Sequence, residues 1–195
     1  MKPTDVAQVV VDALPEALCV AALGTAVSAL RAASGDAAHY YYGAAMGSAL
    51  PGAMGVAEAL PDRLVVALLG DGELLMGASA LWSLAAYRPA NLLTVVLADG
   101  KYSITGGQRL PAPPRFVEVA QALGGLAAAR VHTTESLGEA LLELHRPCLI
   151  EAVVHEWAWP GPSPFVDPAR VRAGFEDNVA NGTIGTIRAL TSGAL

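Results

Sequence analysis

Residues 64–100, LVVALLGDGELLMGASALWSLAAYRPANLLTVVLADG, decide the fold. The stretch opens with an apolar run over 64–69 and repeats one over 92–97, with a helical pattern over 74–87 between them. Both runs are continuous rather than alternating, which marks strands buried on both faces. Two such strands joined through a helix make a parallel pair, and a chain of such pairs makes a sheet with helices on each side. Each run ends in an acidic, glycine-containing turn, Gly70-Asp71-Gly72 and Ala98-Asp99-Gly100. Residues 73–98 suffice for a helix and a returning strand, so the two turns are expected side by side.

Outward from this unit the alternation continues. The sequence predicts a helix over 4–14 capped by Thr4, a strand over 17–23, a helix over 27–33 and a short aromatic strand over 39–42. A helix rich in small residues follows over 47–60. Beyond the central unit come a Gly/Pro-containing loop over 100–114, a helix over 115–123 and a weak strand over 127–132. A helix capped by Thr134 runs to 145, and a last strand spans 148–154. Prolines 160, 162, 164 and 168 break the chain into an irregular extension from about 156, ending in a helix over 168–179. The expected architecture is an α/β three-layer sandwich around a parallel sheet, organised as one unit over 1–195.

Of the 195 residues, 18 are Asp or Glu and 12 are Lys or Arg, a net charge of −6. Without a Lys/Arg cluster to neutralise phosphates, nucleic-acid binding is excluded as the expected role. The most apolar stretch, 18–30, is interrupted by Gly24, Thr25 and Ser28 and is too short to span a bilayer. No apolar run follows Lys2, so no signal peptide is expected, and Cys19 and Cys148 sit in apolar segments as core thiols. A cytoplasmic protein follows. Only 15% of residues are charged, against roughly 25% in an average soluble domain. Alanine enrichment accounts for part of this; surface covered by another chain is the other reading.

Open α/β sheets bind ligands beyond the carboxyl ends of their strands. Gly70 and Gly72 let the backbone turn sharply and approach a ligand, and the following helix start offers N–H groups suited to a phosphate. Asp71 in that turn repels a bare phosphate, and a divalent cation between them resolves the conflict, since Mg²⁺ takes carboxylates, phosphate oxygens and water. Asp99 then supplies a second side-chain oxygen and Lys101 a backbone carbonyl. The spacing Gly70-x-Gly72 followed by Gly77 does not make the dinucleotide pattern G-x-G-x-x-G. His39, His132, His145 and His155 show no metal-ligand spacing, and neither Ser79 nor Ser103 has a His–acid signature for nucleophilic catalysis. Trp157, Trp159 and Phe165 in the extension are placed to cover the site's mouth, to pack on a partner, or to pin their own loop.

GDGELLMGASALWSLAAYRPANLLTVVLADGKYSITGGQ, residues 70–108, resembles the thiamine diphosphate (ThDP) motif, which opens with GDG and closes, after a helix and a strand, with Asn. YYYGAAMGSALPGAMGVAEALPDR, residues 40–63, is similar to the segment preceding that motif in ThDP decarboxylases. YSITGGQ resembles a loop of the sulfopyruvate and phosphonopyruvate decarboxylase group. The likeness covers residues 17–155 and corresponds to the diphosphate-binding half of these enzymes; the chain is close in size to their separate β subunits.

The resemblance implies ThDP and Mg²⁺ as cofactors and a 2-oxoacid substrate. It matches Asp71, Asp99 and the Lys101 carbonyl to the metal ligands, with Asp99 standing where the family has Asn. Gly70, Gly72 and Glu73 match the turn that holds the diphosphate, with Tyr102 following the metal loop. Met46 matches the apolar prop that bends the cofactor, flanked by Gly47, and Ala44 the carbonyl facing the aminopyrimidine. The family's catalytic Glu lies on a pyrimidine-binding domain, so the resemblance implies an α-type partner subunit and a hetero-oligomer, α2β2 or larger, with a homodimer in isolation as the alternative. Other functions left open are a transketolase-like or acetolactate synthase-like carboligase subunit and a degenerate assembly subunit. The early loop over 24–28 lacks the Ser-Arg or Ser-Lys pair of the decarboxylase group. The helix over 47–60, uncharged apart from Glu58, is the expected partner surface.

Overall fold

The continuous apolar runs become buried parallel strands in the computed structural model, which describes residues 1–35, 37–43, 45–155 and 159–182. The strands are β1 (Leu18–Ala22), β2 (Tyr40–Tyr42), β3 (Val65–Gly70), β4 (Leu92–Ala98), β5 (Lys101–Tyr102), β6 (Gln108–Arg109), β7 (Ala127–Val131) and β8 (Cys148–Val153). The helices are α1 (Pro3–Ala13), α2 (Thr25–Ser34), α3 (Ala49–Ala59), α4 (Asp71–Met76), α5 (Ala80–Tyr87), α6 (Phe116–Leu123), α7 (Thr134–Glu143) and α8 (Pro168–Asn181). Six strands form one sheet in the order β2-β1-β3-β4-β8-β7, every neighbouring pair parallel. All of β1 is buried, as are β3 and β4 up to their last residues. Helix α1 packs with α2 and α7, while α3 packs with α5 and α5 with α6, giving the two outer layers.

The chain steps from β1 outward to β2, then crosses back to β3 on the other side of β1. This reversal opens a crevice at the carboxyl ends of β1 and β3, the place where such sheets take ligands.

Several local expectations are corrected. The helix expected over 74–87 is two helices, α4 and α5, broken at residues 77–79. The cause is a close approach: a Cβ at Gly77 would lie 2.1 Å from the Gly47 carbonyl oxygen, so the backbone turns there. Helix α3 begins at Ala49 rather than at residue 47, and the loop over 100–114 contains the β5–β6 hairpin. Thr133, not Thr134, caps α7 by accepting from the Ser136 amide, and Asp5 accepts from the Lys2 amide at the start of α1, where Thr4 was expected to cap. Helix α8 runs to Asn181 and covers the β2 edge, with Tyr40 and Phe175 edge to face at 5.1 Å and the Asn178 side chain donating to the Ala38 carbonyl at 2.9 Å.

At the opposite edge, Arg130 on β7 donates to Glu151 at 2.8 Å and to Glu118 at 2.9 Å. Both cysteines are buried and free, and burial pushes the Cys19 thiol up to about 12 and Cys148 up to about 11. Among the described residues no helix is long and apolar enough to cross a membrane. Met76 on α4 and Trp82 and Tyr87 on α5 are exposed by 58%, 57% and 78%.

His39 is 4% exposed, with Nδ1 accepting from the Cys19 amide at 3.4 Å. Burial lowers its pKa from 6.5 to about 4. The unfolded chain therefore takes up the proton first, so this contribution to stability is complete above pH 6.5 and is lost as pH falls through 4. We expect acid to remove at most roughly 3 kcal/mol by this route. Urea unfolding across that pH range measures it. His39→Gln should flatten the slope, and an unchanged slope contradicts the assignment.

Candidate functional site

Strand pairing builds the site. Gly70 on β3 lies opposite Leu97 on β4, so both acidic turns leave the sheet at the same level. Asp71 joins them: one carboxylate oxygen accepts from the Gly100 amide at 2.7 Å and the other from the Gly72 amide at 2.8 Å. Asp99 is held within its own turn, one oxygen accepting from the Lys101 amide at 2.9 Å and the other from the Ser103 hydroxyl at 2.5 Å. Thr25, Met46, Asp71, Gly72, Asp99 and Lys101 line one cleft at the β1–β3 crevice.

Gly72 is required by its neighbours. A Cβ there would meet Tyr102 Cδ1 at 2.6 Å and the Lys101 carbonyl oxygen at 3.1 Å. The Lys101 carbonyl thus sits against the Asp71–Gly72 turn, where a third oxygen ligand was expected. The β5–β6 hairpin folds over the cleft, with Ile104 against Gly24, whose φ of 102° suits glycine.

The electrostatics fit a cation. Asp71 is only 3% exposed. Burial pushes its carboxyl up to about 7 against the pull of the Gly100 and Gly72 amides, and the Asp99 charge adds to the rise. A buried carboxylate facing a second carboxylate is unfavourable alone and is relieved by a divalent cation. Two carboxylates and a carbonyl are hard oxygen donors of the kind Mg²⁺ takes. Among the described residues no group of three or more His, Cys, Asp or Glu side chains forms a complete metal cage. A cation here would therefore complete its shell with ligand oxygens and water, which suits a diphosphate.

Other expected residues are placed as follows. Met46 is half-buried in the cleft, while Gly47, at φ 92°, lies behind it against Gly77. Gly70 is the last residue of β3 and lines the cleft. The Glu73 side chain turns toward α3, accepting from the Ala49 amide at 3.0 Å, a carboxylate against a helix start. Helix α4 is six residues long, so its contribution at the turn is mainly the local amides. Ala44 and Trp157 lie outside the described residues. His132, His145 and His155 are exposed and do not line the cleft. Trp159 and Phe165 stack edge to face at 5.5 Å, and the Gly161 amide donates to Ser28 at 2.9 Å, seating the proline-rich segment on α2.

Sequence reasoning missed two contributors. Gly77 holds the Gly47 turn, and a glycine inside a helical pattern was its only signal. Ser103 was weighed only as a nucleophile and set aside, and its hydroxyl engages Asp99.

Comparison with known proteins is consistent with this geometry. Residues 23–152 match the family model "Thiamine pyrophosphate enzyme, C-terminal TPP binding domain". The chain is 34% identical over 162 residues to phosphonopyruvate decarboxylase of Streptomyces viridochromogenes, covering 80% of this chain and 41% of that enzyme. It is 40% identical over 70 residues to sulfopyruvate decarboxylase subunit beta of Methanothermobacter thermautotrophicus, covering 36% of this chain and 37% of that subunit. A solved structure, the thiamine diphosphate-dependent 4-hydroxybenzoylformate decarboxylase of Rhodococcus jostii RHA1, superposes with a TM-score of 0.64 at 27% identity, covering 80% of this chain and 33% of that one. In each case the chain spans well under half the length of the relative it matches.

Gly77→Ala provides a test of the turn behind Met46. The added methyl meets backbone and forces the Met46–Gly47 segment away. We expect destabilisation of about 2 kcal/mol in urea unfolding, together with weaker ThDP binding by calorimetry with the α-type partner present. Wild-type values for both would show that this contact does not set the cleft.

Proposed function

Because the chain belongs to the thiamine pyrophosphate enzyme family, matching its C-terminal TPP-binding domain, we propose that it supplies the diphosphate and metal half of a ThDP- and Mg²⁺-dependent 2-oxoacid decarboxylase. The observation that carries this reading is the Asp71–Gly100 bond, which brings the two acidic turns together over one cleft.

When bound, ThDP supplies the carbon nucleophile and the electron sink for loss of CO₂ from a 2-oxoacid. The chain's own task is to hold and orient. Asp71, Asp99 and the Lys101 carbonyl would hold Mg²⁺, and the glycine turn at Gly72 admits a diphosphate close to the backbone. Met46, half-buried in the cleft, would serve as the cofactor's apolar prop.

The proton-handling carboxylate is assigned to a complementary α-type chain with a pyrimidine-binding domain. Three acidic residues line the cleft among the described residues. Two of them, Asp71 and Asp99, face the metal position, and Glu73 is engaged by Ala49. None is left for the pyrimidine. Similarity to a decarboxylase β subunit and the exposed Met76, Trp82 and Tyr87 support an assembly of the α2β2 kind.

Calorimetric titration with ThDP and Mg²⁺, for this chain alone and with its complementary chain, tests the reading. We expect tight binding and CO₂ release from a 2-oxoacid only in the mixture. Asp99→Asn should retain or tighten cofactor binding, because it removes one negative charge beside the diphosphate. Turnover by the chain alone would overturn the divided site. Absence of binding in both samples would favour a role confined to assembly.

A further inference from the structure

Asp99 carries one more negative charge than the amide expected at its position, and its surroundings show how that charge is managed. One oxygen accepts from the Lys101 amide at 2.9 Å and the other from the Ser103 hydroxyl at 2.5 Å. A carboxylate on a short side chain rotates freely about its last bond unless both oxygens are engaged. Here both are engaged: one by the amide of the residue whose carbonyl lies against Gly72, the other by the first residue of the turn after β5. Each oxygen keeps a lone-pair direction after these bonds, so the group can still offer an oxygen to a cation while its plane is fixed.

We propose that Ser103 is a positioning residue that fixes the Asp99 carboxylate so that it shares a divalent cation with Asp71. The inference rests on the cofactor reading above. A serine hydroxyl suits the task because it is both donor and acceptor. It donates to the carboxylate here, and by rotating it would accept from the amide of an Asn in the same place. Ser103 also stands in the strand–turn that carries Lys101 and Tyr102, so the same bond ties the hairpin leg bearing the carbonyl ligand to the end of β4. A hydrogen bond to an ionised group is stronger than one between neutral groups, so its loss should register directly in cation affinity.

The probe is Mn²⁺, followed by electron paramagnetic resonance of the free ion in the presence of ThDP, using the chain with its complementary chain where ThDP binding needs it. Ser103→Ala should weaken Mn²⁺ binding about tenfold with little change in the unfolding midpoint, and Ser103→Thr should restore it. In the Asp99→Asn background, Ser103→Ala should cost markedly less, since the charged partner is gone. A purely structural serine would cost the same in both backgrounds. Unchanged Mn²⁺ affinity in Ser103→Ala would overturn this inference and leave the cofactor reading intact. No Mn²⁺ binding by the wild-type protein would overturn both.

Discussion

The bond from the Gly100 amide to the Asp71 carboxylate is the constraint on which the rest of the site depends. It ties the ends of two adjacent parallel strands at the level of the sheet's topological reversal. Nearly every feature of the cleft follows from it. The turn after β3 needs glycine at 72 because the Lys101 carbonyl and the Tyr102 ring lie against it. The carboxylate is driven into burial, where it is uncomfortable without a cation. Asp99 is carried to the same spot by strand register alone.

Around this point the molecule uses unusually close backbone contacts. Gly77 against Gly47, Gly72 against Lys101, and Gly161 against the Ser28 carbonyl each leave no room for a side chain. These contacts let three separate segments, the Met46 turn, the metal turns and the proline-rich segment, converge on the α2–β3 end of the sheet. Small residues here let backbone segments approach one another closely, and the low fraction of charged residues is partly a by-product of that packing.

The strands and their parallel sense were legible because continuous apolar runs of this length have few other solutions. So was the side-by-side placing of the two acidic turns, since residues 73–98 suffice for a helix and a returning strand. The break between α4 and α5 was not legible: apolar periodicity runs through Gly77 undisturbed, and its cause is a contact with Gly47, remote in sequence. Glu73 was read for its place in the turn, and the use of its side chain, accepting from the Ala49 amide of α3, rests again on a non-local partner. Ser103 was judged by the chemistry of a nucleophile, and its use became visible only once the turn placed it on Asp99.

The two edges of the sheet are closed in different ways. Helix α8 lies along β2, and β7 carries Arg130, held by Glu118 on one side and Glu151 on the other. A charged side chain held by two carboxylates on an outer strand discourages strand-to-strand accretion. Growth of the sheet by adding a foreign strand is thereby disfavoured at both ends. Helices and strand tips are left as the surfaces for another polypeptide, and the carboxyl-end tips lie beside the cleft. The closure of the sheet edges therefore also steers association toward the end of the sheet where the cleft lies.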